Sequence, residues 1–238
     1  KENARTPAVV VALAFAAASF AAGAQQWPAK AIRVIAPFAP GGGADFMGRL
    51  TGQHLAEALG QPVVVENRVG ASGIIGYDYG LKAAPDGYTL TVVSTTYSIL
   101  PSLYKLPYDA VKDMQPVIQL SRGPYIVAVH PSLPVNNIRE LIALAKAKPD
   151  SITYVSSGTG ANVHLVTEMF TFMTGTKMVH IPYKGGGPAV ISLVSGETAI
   201  LMATIPSSIQ HFQTGRLIPL GVTSLKRNVA LPNVPSIA

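Results

Sequence analysis

The residues with the clearest chemical potential form a run of small residues, PFAPGGGAD, at positions 37–45. An apolar segment precedes this run and a segment with helical spacing follows it, so the pattern predicts a strand, a glycine-rich turn and a helix start. The first N–H groups of a helix lack intrahelical partners and lie at the positive end of the helix dipole. The turn could therefore bind an anion. A tight turn without a ligand is the alternative interpretation.

Nucleotide phosphate is the familiar ligand of such turns, but both of its sequence signatures are missing here. A dinucleotide fingerprint that begins at Gly41 requires Gly or Ala at position 46, which is Phe46. No GK[ST] triplet follows the glycines, as a phosphate-binding loop requires. The turn therefore favours a smaller anion, such as a carboxylate.

A second turn of the same kind lies in the C-terminal half, where residues 152–164 read ITYVSSGTGANVH. This segment again predicts a strand, a polar glycine-rich turn and a helix. Two such turns, one in each half of the chain, could face each other across a cleft and share one anion. Gly and Ser are also ordinary turn residues, so an unrelated coincidence is the alternative.

The start of the chain and its composition restrict the class of protein. Residues 1–24 combine a basic start, an apolar stretch and a small-residue triplet, which predicts a signal peptide cut after Ala24; an uncleaved membrane anchor is the alternative. The absence of cysteine excludes disulfides, thiolate nucleophiles and cysteine-ligated metals. The formal net charge of +6 is spread along the chain without a basic stripe, so no nucleic acid partner is expected.

Strand-like and helix-like segments alternate after the predicted signal peptide. The first series predicts five strands and two helices, the strands at 32–38, 62–68, 88–94, 116–120 and 125–130 and the helices at 45–59 and 74–84. The second series predicts helices at 137–148 and 162–174 and further helices from Pro188 and Pro206, between the strands ITYVSS, KMVHIPY, TAILMAT and LIPLGVTS. Apolar strands that alternate with amphipathic helices are typical of parallel sheets covered on both faces.

The segment near residues 119–126 separates two series of comparable size, which predicts a domain boundary. The predicted first α/β domain spans residues 25–121 and the second spans residues 122–216. Two such domains imply a cleft between them, and open α/β sheets bind ligands beyond the carboxyl ends of their strands.

An enzyme is the alternative class, but the sequence lacks a catalytic constellation. There is no GxSxG elbow and no HExxH motif. Ser94, Ser156 and Ser157 end predicted strands, as nucleophiles often do, yet the sequence assigns no base to them. We therefore expect no enzymatic activity, no cofactor and no metal.

Several polar side chains have plain structural interpretations. Asp45 stands at a helix start, where a capping carboxylate is favourable and would repel an anion. His164 and Glu168 are four residues apart on a predicted helix without the further ligands that a metal needs, which favours a helix-face pair. His180 is interpreted as a packed strand residue, and Lys184 either pairs with an acid or is solvated.

Longer stretches of the chain carry a resemblance to a known family. The segments WPAKAIRVIAPFAPGGGADFMGRL, LGQPVVVENRVGASGIIG, ITYVSSGTGANVHL and MVHIPYKGGGPAVISLVSGE resemble the Bug receptors, which are the periplasmic substrate-binding components of tripartite tricarboxylate transporters. The resemblance covers residues 26–238. It implies an α/β, two-domain periplasmic binding protein, type II-like, with a ligand cleft between two α/β domains.

The same resemblance implies a function and a set of partners. Such a receptor is a periplasmic monomer that closes on a small carboxylate-bearing solute and delivers it to the membrane permease subunits of the transporter. A ligand-responsive envelope sensor that presents the solute to a signalling ectodomain is the alternative. Relatives continue beyond this sequence, so residues 217–238 are expected to return towards the first domain and to be truncated.

The resemblance also implies which residues contact the solute. Carried over by position, the two glycine-rich turns hold one carboxylate, and the expected ligand-binding residues are Phe38, Ala39, Pro40, Gly41, Gly42, Gly43, Ala44, Asp45, Thr95, Thr96, Ser156, Ser157, Gly158, Thr159, Gly160, Asn162, Lys184, Gly185 and Thr204. This chain departs from the family pattern at Ala44, Ile74 and Asn162, so the identity of the solute does not follow from the resemblance.

Overall fold

Strands and helices alternate through the computed structural model, which describes residues 27–237. The strands are β1 (Ile32–Ala36), β2 (Val63–Asn67), β3 (Thr89–Thr91), β4 (Tyr125–Val129), β5 (Thr153–Ser156), β6 (Val179–Pro182), β7 (Ile200–Thr204) and β8 (Ile218–Val222). The helices are α1 (Gly43–Leu59), α2 (Ile74–Leu81), α3 (Thr95–Leu103), α4 (Ile138–Ala147), α5 (Asn162–Thr174), α6 (Gly186–Val194) and α7 (Ile205–Gln213). The signal peptide predicted for residues 1–24 lies outside the described residues.

The strands form two separate sheets. The first is parallel throughout, in the order β2-β1-β3, and the second has the order β6-β5-β7-β4-β8. In the second sheet β5 is parallel to β6 and β7, whereas β4 is antiparallel to β7 and β8. The prediction of purely parallel sheets is therefore wrong here, because the chain enters β4 from the first sheet and not through a crossover helix.

The largest core surrounds the middle of the second sheet. Strands β4 and β7 are buried over four of their five residues each, which matches central strands covered on both faces. Leu141 of α4 and Leu193 of α6 are fully buried against these strands. A smaller aromatic cluster in the first half joins Phe38 to Tyr77 and Tyr97. Each sheet therefore has its own apolar centre.

The first half departs from the sequence predictions in three places. No strand forms at residues 116–120, where Val117 and Ile118 are 79% and 76% exposed and lack a neighbouring strand. Helix α3 was not predicted, because its two leading threonines and Pro101 are poor helix formers. Helix α2 ends at Leu81, three residues earlier than predicted.

The C-terminal segment stays with the second sheet. Strand β8 pairs with β4, and Ile237 donates its backbone N–H to Val222 at 2.9 Å. The predicted return of residues 217–238 towards the first domain is therefore not found in the segment up to residue 237. The domain limits at residues 121 and 216 stay predictions. Among residues 27–237, no helix has both the length and the apolar character to cross a bilayer.

Leu141 tests the core of the second sheet. Leu141→Ala is expected to lower the free energy of unfolding by about 3 kcal/mol, because it removes buried methyl groups and leaves a cavity. Leu225→Ala is the matched control, since Leu225 is 86% exposed and its truncation should change stability by less than about 0.5 kcal/mol. Urea denaturation followed by circular dichroism measures both, and equal losses would contradict the assigned core.

Candidate functional site

Turns at the carboxyl ends of the strands lead into the helices of the candidate site. Residues 37–42 connect β1 to α1, residues 157–161 connect β5 to α5, and residues 183–185 connect β6 to α6. The N-cap residues Gly42, Ala161 and Gly185 form no side-chain cap to their helices. The backbone N–H groups at the starts of α1 and α6 are therefore not occupied by local capping side chains, whereas at α5 the N–H of Val163 donates to Asn162 Oδ1 at 2.8 Å.

Helix α4, which is not part of this region, begins in the opposite way. Its N-cap residue Asn137 accepts a hydrogen bond from the backbone N–H of Glu140 at 3.0 Å. The Glu140 carboxylate in turn accepts from the backbone N–H of Asn136 at 2.7 Å. This capping box satisfies its helix start locally. The chain therefore caps this structural helix with side chains, whereas α1 and α6 of the candidate site begin after the glycines Gly42 and Gly185 without a side-chain cap.

The first glycine-rich turn meets the β6–α6 turn of the other half backbone to backbone. The N–H of Ala39 donates to the carbonyl of Lys184 at 3.1 Å. A Cβ atom built on Gly42 would lie 3.2 Å from the backbone nitrogen of Gly186, and one built on Gly187 would overlap the carbonyl of Pro40. The two halves can approach this closely only because these positions carry no side chain.

The second glycine-rich turn meets a different part of the first half. The carbonyl of Thr159 accepts hydrogen bonds from Ser72 Oγ at 2.6 Å and from Tyr104 Oη at 3.2 Å. The backbone N–H of Asn162 donates to Thr96 Oγ1 at 3.0 Å. The starts of α3 and α5 therefore face each other, and the two halves form one closed contact region.

The two predicted turns are joined by the β6–α6 turn between them. Tyr183 donates its backbone N–H to the carbonyl of Ser156 at 3.0 Å, and Lys184 accepts from Ala39. The Lys184 side chain is exposed, so its contribution in this structure is the backbone carbonyl. Thr204 at the end of β7 hydrogen-bonds Ser207 and lies beside Gly43. Thr96 is fully buried, whereas Thr95 is exposed.

Asp45 holds the first turn from inside the protein. Its carboxylate accepts hydrogen bonds from the N–H of Gly41 at 3.0 Å, Arg49 Nε at 3.1 Å and Asn67 Nδ2 at 2.9 Å. Burial alone would raise the pKa of Asp45, but these donors and the positive charge of Arg49 outweigh it and lower the pKa. The carboxylate is committed to the turn, and a contact between Asp45 and the solute stays a prediction.

Ser72 and Tyr104 were missed by the sequence reasoning. The signal for Ser72 was present, because RVGASGIIG is a third glycine-rich turn between a strand and a helix. Ala71 and Ser72 both have positive φ angles, 46° and 52°, which is a strained conformation for residues other than glycine. Tyr104 carried no local signal, since it follows the unpredicted helix α3.

Two histidines lie directly behind the second turn. His180 Nε2 is 2.7 Å from Ser156 Oγ, and His164 Nδ1 accepts the N–H of Gly160 at 3.2 Å. The side chain of Glu168 accepts its hydrogen bond from Tyr154 Oη, and its charge also acts on the His164 ring of the predicted helix-face pair. His180 is likewise more than a packed strand residue, because it bonds the turn.

The contact between Ser156 and His180 resembles part of a catalytic dyad, but its setting is different. Ser156 is fully buried, so its Oγ is closed to a substrate. The same Oγ accepts the backbone N–H of Gly158 at 3.1 Å, which makes it a part of the turn. Within residues 27–237, no group of three or more histidine or carboxylate side chains is arranged to hold a metal ion.

Two α/β lobes that close on each other through turns at their strand ends define the class of bilobal solute-binding receptors. Residues 47–238 match the family described as "Tripartite tricarboxylate transporter family receptor". The chain therefore belongs to this family. BugT of Bordetella pertussis is 38% identical over 237 residues, which cover 96% of this chain and 72% of that protein.

Solved structures share the fold as well as the sequence pattern. R. palustris Rpa4515 with adipate is 35% identical with a TM-score of 0.86, covering 89% of this chain and 72% of that one. MatC from Rhodopseudomonas palustris with bound malate is 26% identical with a TM-score of 0.81, covering 88% and 72%. The predicted fold class and the resemblance to Bug receptors are confirmed.

The role of Asp45 can be tested through acid stability. Asp45→Asn is expected to lower the free energy of unfolding at pH 7 by about 1–3 kcal/mol, since the bonds to a charged carboxylate are weakened. The stabilisation from a lowered pKa is present above the unfolded value, about 3.9, and is lost as the pH falls through the folded pKa. The difference between variant and wild type should therefore shrink below about pH 4.

Glu57→Gln provides the matched control for this measurement, because the Glu57 side chain is 62% exposed and the substitution also converts a carboxylate to an amide. Urea denaturation between pH 3 and pH 7 measures both variants. An Asp45→Asn protein with the stability of Glu57→Gln would contradict the turn-holding role.

Proposed function

We propose that this protein is a periplasmic, non-enzymatic receptor that captures a small carboxylate-bearing solute between its two lobes and delivers it to a membrane transporter. The observation that carries the proposal is the backbone contact of Gly42 with Gly186, which joins the lobes at two helix starts without capping side chains. A carboxylate can replace such local caps, because it accepts hydrogen bonds from backbone N–H groups and is favoured by the helix dipole.

The chemistry of the turns supports an acid as the solute. The first turn offers backbone and no basic side chain of its own, and the nearby Arg49 is already paired with Asp45 at 2.9 Å. The second turn offers the hydroxyls and backbone N–H groups of Ser157 and Thr159. Two relatives of known structure are described with adipate and with malate, which are both dicarboxylates. Together these points favour a dicarboxylate held at one end by backbone donors.

Residues at the seam between the lobes are the proposed solute contacts. In the first lobe they are the turn from Phe38 to Ala44 with Thr96, and in the second they are the turn from Ser156 to Gly160 with Asn162. Closure brings these groups together and requires a ligand that binds the closed form more tightly than the open form. Permease subunits of a tripartite tricarboxylate transporter are the proposed partners, because the family is described by that transporter.

A thermal-shift screen tests the solute class. Residues 25–238 are screened against mono-, di- and tricarboxylates, aromatic acids, amino acids and neutral sugars, with adipate and malate in the dicarboxylate group. A dicarboxylate at a hundred times its Kd should add about 2.7 kcal/mol of stability. Neutral sugars should leave the melting temperature unchanged. Stabilisation by neutral sugars alone would contradict the proposal. A folded sample that none of the acids stabilises would also contradict it.

Gly42 tests whether closure of the lobes is needed for capture. Its φ angle of −87° suits any residue, so Gly42→Val should leave the fold of each lobe intact. The added side chain meets the backbone of Gly186 in the closed form, so adipate and malate affinity should fall at least about a hundredfold, as expected when the closed state becomes inaccessible. Isothermal titration calorimetry measures the affinity.

Gly123→Val is the matched control for Gly42→Val, because a Cβ atom at Gly123 would meet no heavy atom within 4 Å. This variant should bind like the wild type. Small-angle scattering adds a second readout, since the wild type should become more compact with ligand and Gly42→Val should not. Unchanged affinity in Gly42→Val would contradict capture by closure.

A further inference from the structure

Three aromatic rings form a stack behind the second glycine-rich turn. His180 of β6 lies between Tyr154 of β5 and His164 of α5, with ring centroids 4.8 Å and 4.1 Å away. The interplanar angles are 16° and 25°, so the rings are nearly parallel. Tyr154 is fully buried and donates its hydroxyl to Glu168 of α5. Three secondary-structure elements therefore fix the stack in place.

Both imidazoles of this stack bond to the turn itself. His164 Nδ1 accepts the N–H of Gly160, and His180 Nε2 bonds Ser156 Oγ. Ser156 Oγ also accepts the N–H of Gly158. The amide of Gly160 is therefore held directly by His164. The amide of Gly158 is held by His180 through the hydroxyl of Ser156.

The turn that the histidines hold is the one that reaches the first lobe. Thr159 lies between Gly158 and Gly160, and its carbonyl receives both cross-lobe hydroxyl bonds. Gly158 has a φ angle of 134° and Gly160 one of 77°, conformations that glycine adopts more readily than other residues. A shift of this turn would misplace the contacts with Ser72 and Tyr104.

We propose that His164 and His180 are positioning residues of the solute site, and that the neutral form of His164 is required for capture, so that acidification weakens solute binding. This inference rests on the proposed receptor function. The reason lies in the proton positions. A neutral His164 accepts the N–H of Gly160 at Nδ1 and carries its own proton at Nε2. Protonation places a second proton on Nδ1, where it faces the Gly160 N–H and breaks the bond.

The surroundings of the two rings favour the neutral form at neutral pH. Burial lowers the pKa of His164, and the Glu168 carboxylate partly opposes this shift. Burial and the neighbouring His164 lower the pKa of His180 to about 4, again with Glu168 in opposition. The ionisable groups that face the two imidazoles are thus the Glu168 carboxylate and the Tyr154 hydroxyl. Tyr104 of the first lobe donates its hydroxyl to the adjacent carbonyl of Thr159.

The sign of the pH effect follows from these lowered pKa values. Below the ordinary histidine value of 6.5, the unfolded chain binds more protons at these two positions than the folded lobe. The contribution of the neutral rings is therefore complete above about pH 6.5 and is lost as the pH falls towards the lowered values. Solute affinity should decline over the same range.

His164 can be replaced by residues that keep or remove the acceptor. Asn places an amide oxygen near the position of Nδ1 and does not titrate, whereas Leu has no acceptor. At pH 7.5, His164→Asn should bind adipate and malate within about twofold of the wild type, and His164→Leu about tenfold more weakly, the loss expected for one hydrogen bond. His54→Asn, on the exposed face of α1, is the matched histidine control and should bind like the wild type.

The pH profile separates a positioning role from a merely structural one. The affinity of the wild type divided by that of His164→Asn cancels protonation of the solute itself. This ratio should fall to about half its pH 7.5 value at the His164 pKa, because half of the molecules are then competent, and should fall further below it. Nuclear magnetic resonance of the imidazole gives that pKa independently. A ratio that stays constant from pH 7.5 down to the His164 pKa measured in this way would overturn the inference.

A ligand-free measurement keeps this inference separate from the proposed function. The amide resonance of Gly160 should titrate with the His164 ring in the wild type, and its protection from hydrogen exchange should be lost in His164→Leu and kept in His164→Asn. If these amide signals behave as stated but neither acid binds the wild type, the proposed dicarboxylate function fails and the positioning role holds. If the amide ignores His164, the inference fails even where both acids bind.

Discussion

The closed arrangement depends on a contact between two pieces of bare backbone. Gly42 and Gly186 come so close that any side chain at Gly42 would touch the opposite helix start. This constraint explains why glycines are concentrated in turns whose flexibility is unfavourable for folding. It also explains why the helices on both sides begin without capping side chains, since a capping group there would occupy the space between the lobes. The close packing of the two lobes and the binding of an anion by backbone N–H groups therefore both favour glycine at these positions.

The two glycine-rich turns look alike in sequence but are held by different chemistry. A buried carboxylate, Asp45, accepts from the first turn, whereas the imidazoles of His164 and His180 support the second. In each turn the support comes from behind, so the face towards the other lobe stays available. Preorganised donors of this kind reduce the entropy that binding must overcome. The supporting side chains are therefore as much a part of the site as the turns.

Local patterns predicted the turns and most helices, including α5 to the residue. The same patterns did not predict the partners of the turns, because these partners are distant in sequence. Ser72 and Thr159 are 87 residues apart, and Tyr104 and Thr159 are 55 apart. The histidines were assigned to ordinary packing for the same reason, since nothing near His180 in the sequence indicates Ser156. The periodicity of apolar residues predicts a helix or a strand. Which helices and strands come into contact is determined only by the assembled lobes.

The antiparallel strand β4 has a consequence for how the second lobe assembles. Residues 125–129 occupy an inner position of the sheet, yet both of their partners, residues 200–204 and 218–222, are made much later in the chain. The loops that must close before β4 is paired are long, and such nonlocal topology slows folding. The lobe therefore cannot mature stepwise from its N-terminal end. Its sheet should instead be completed in one late cooperative step, once β8 is available to pair with β4.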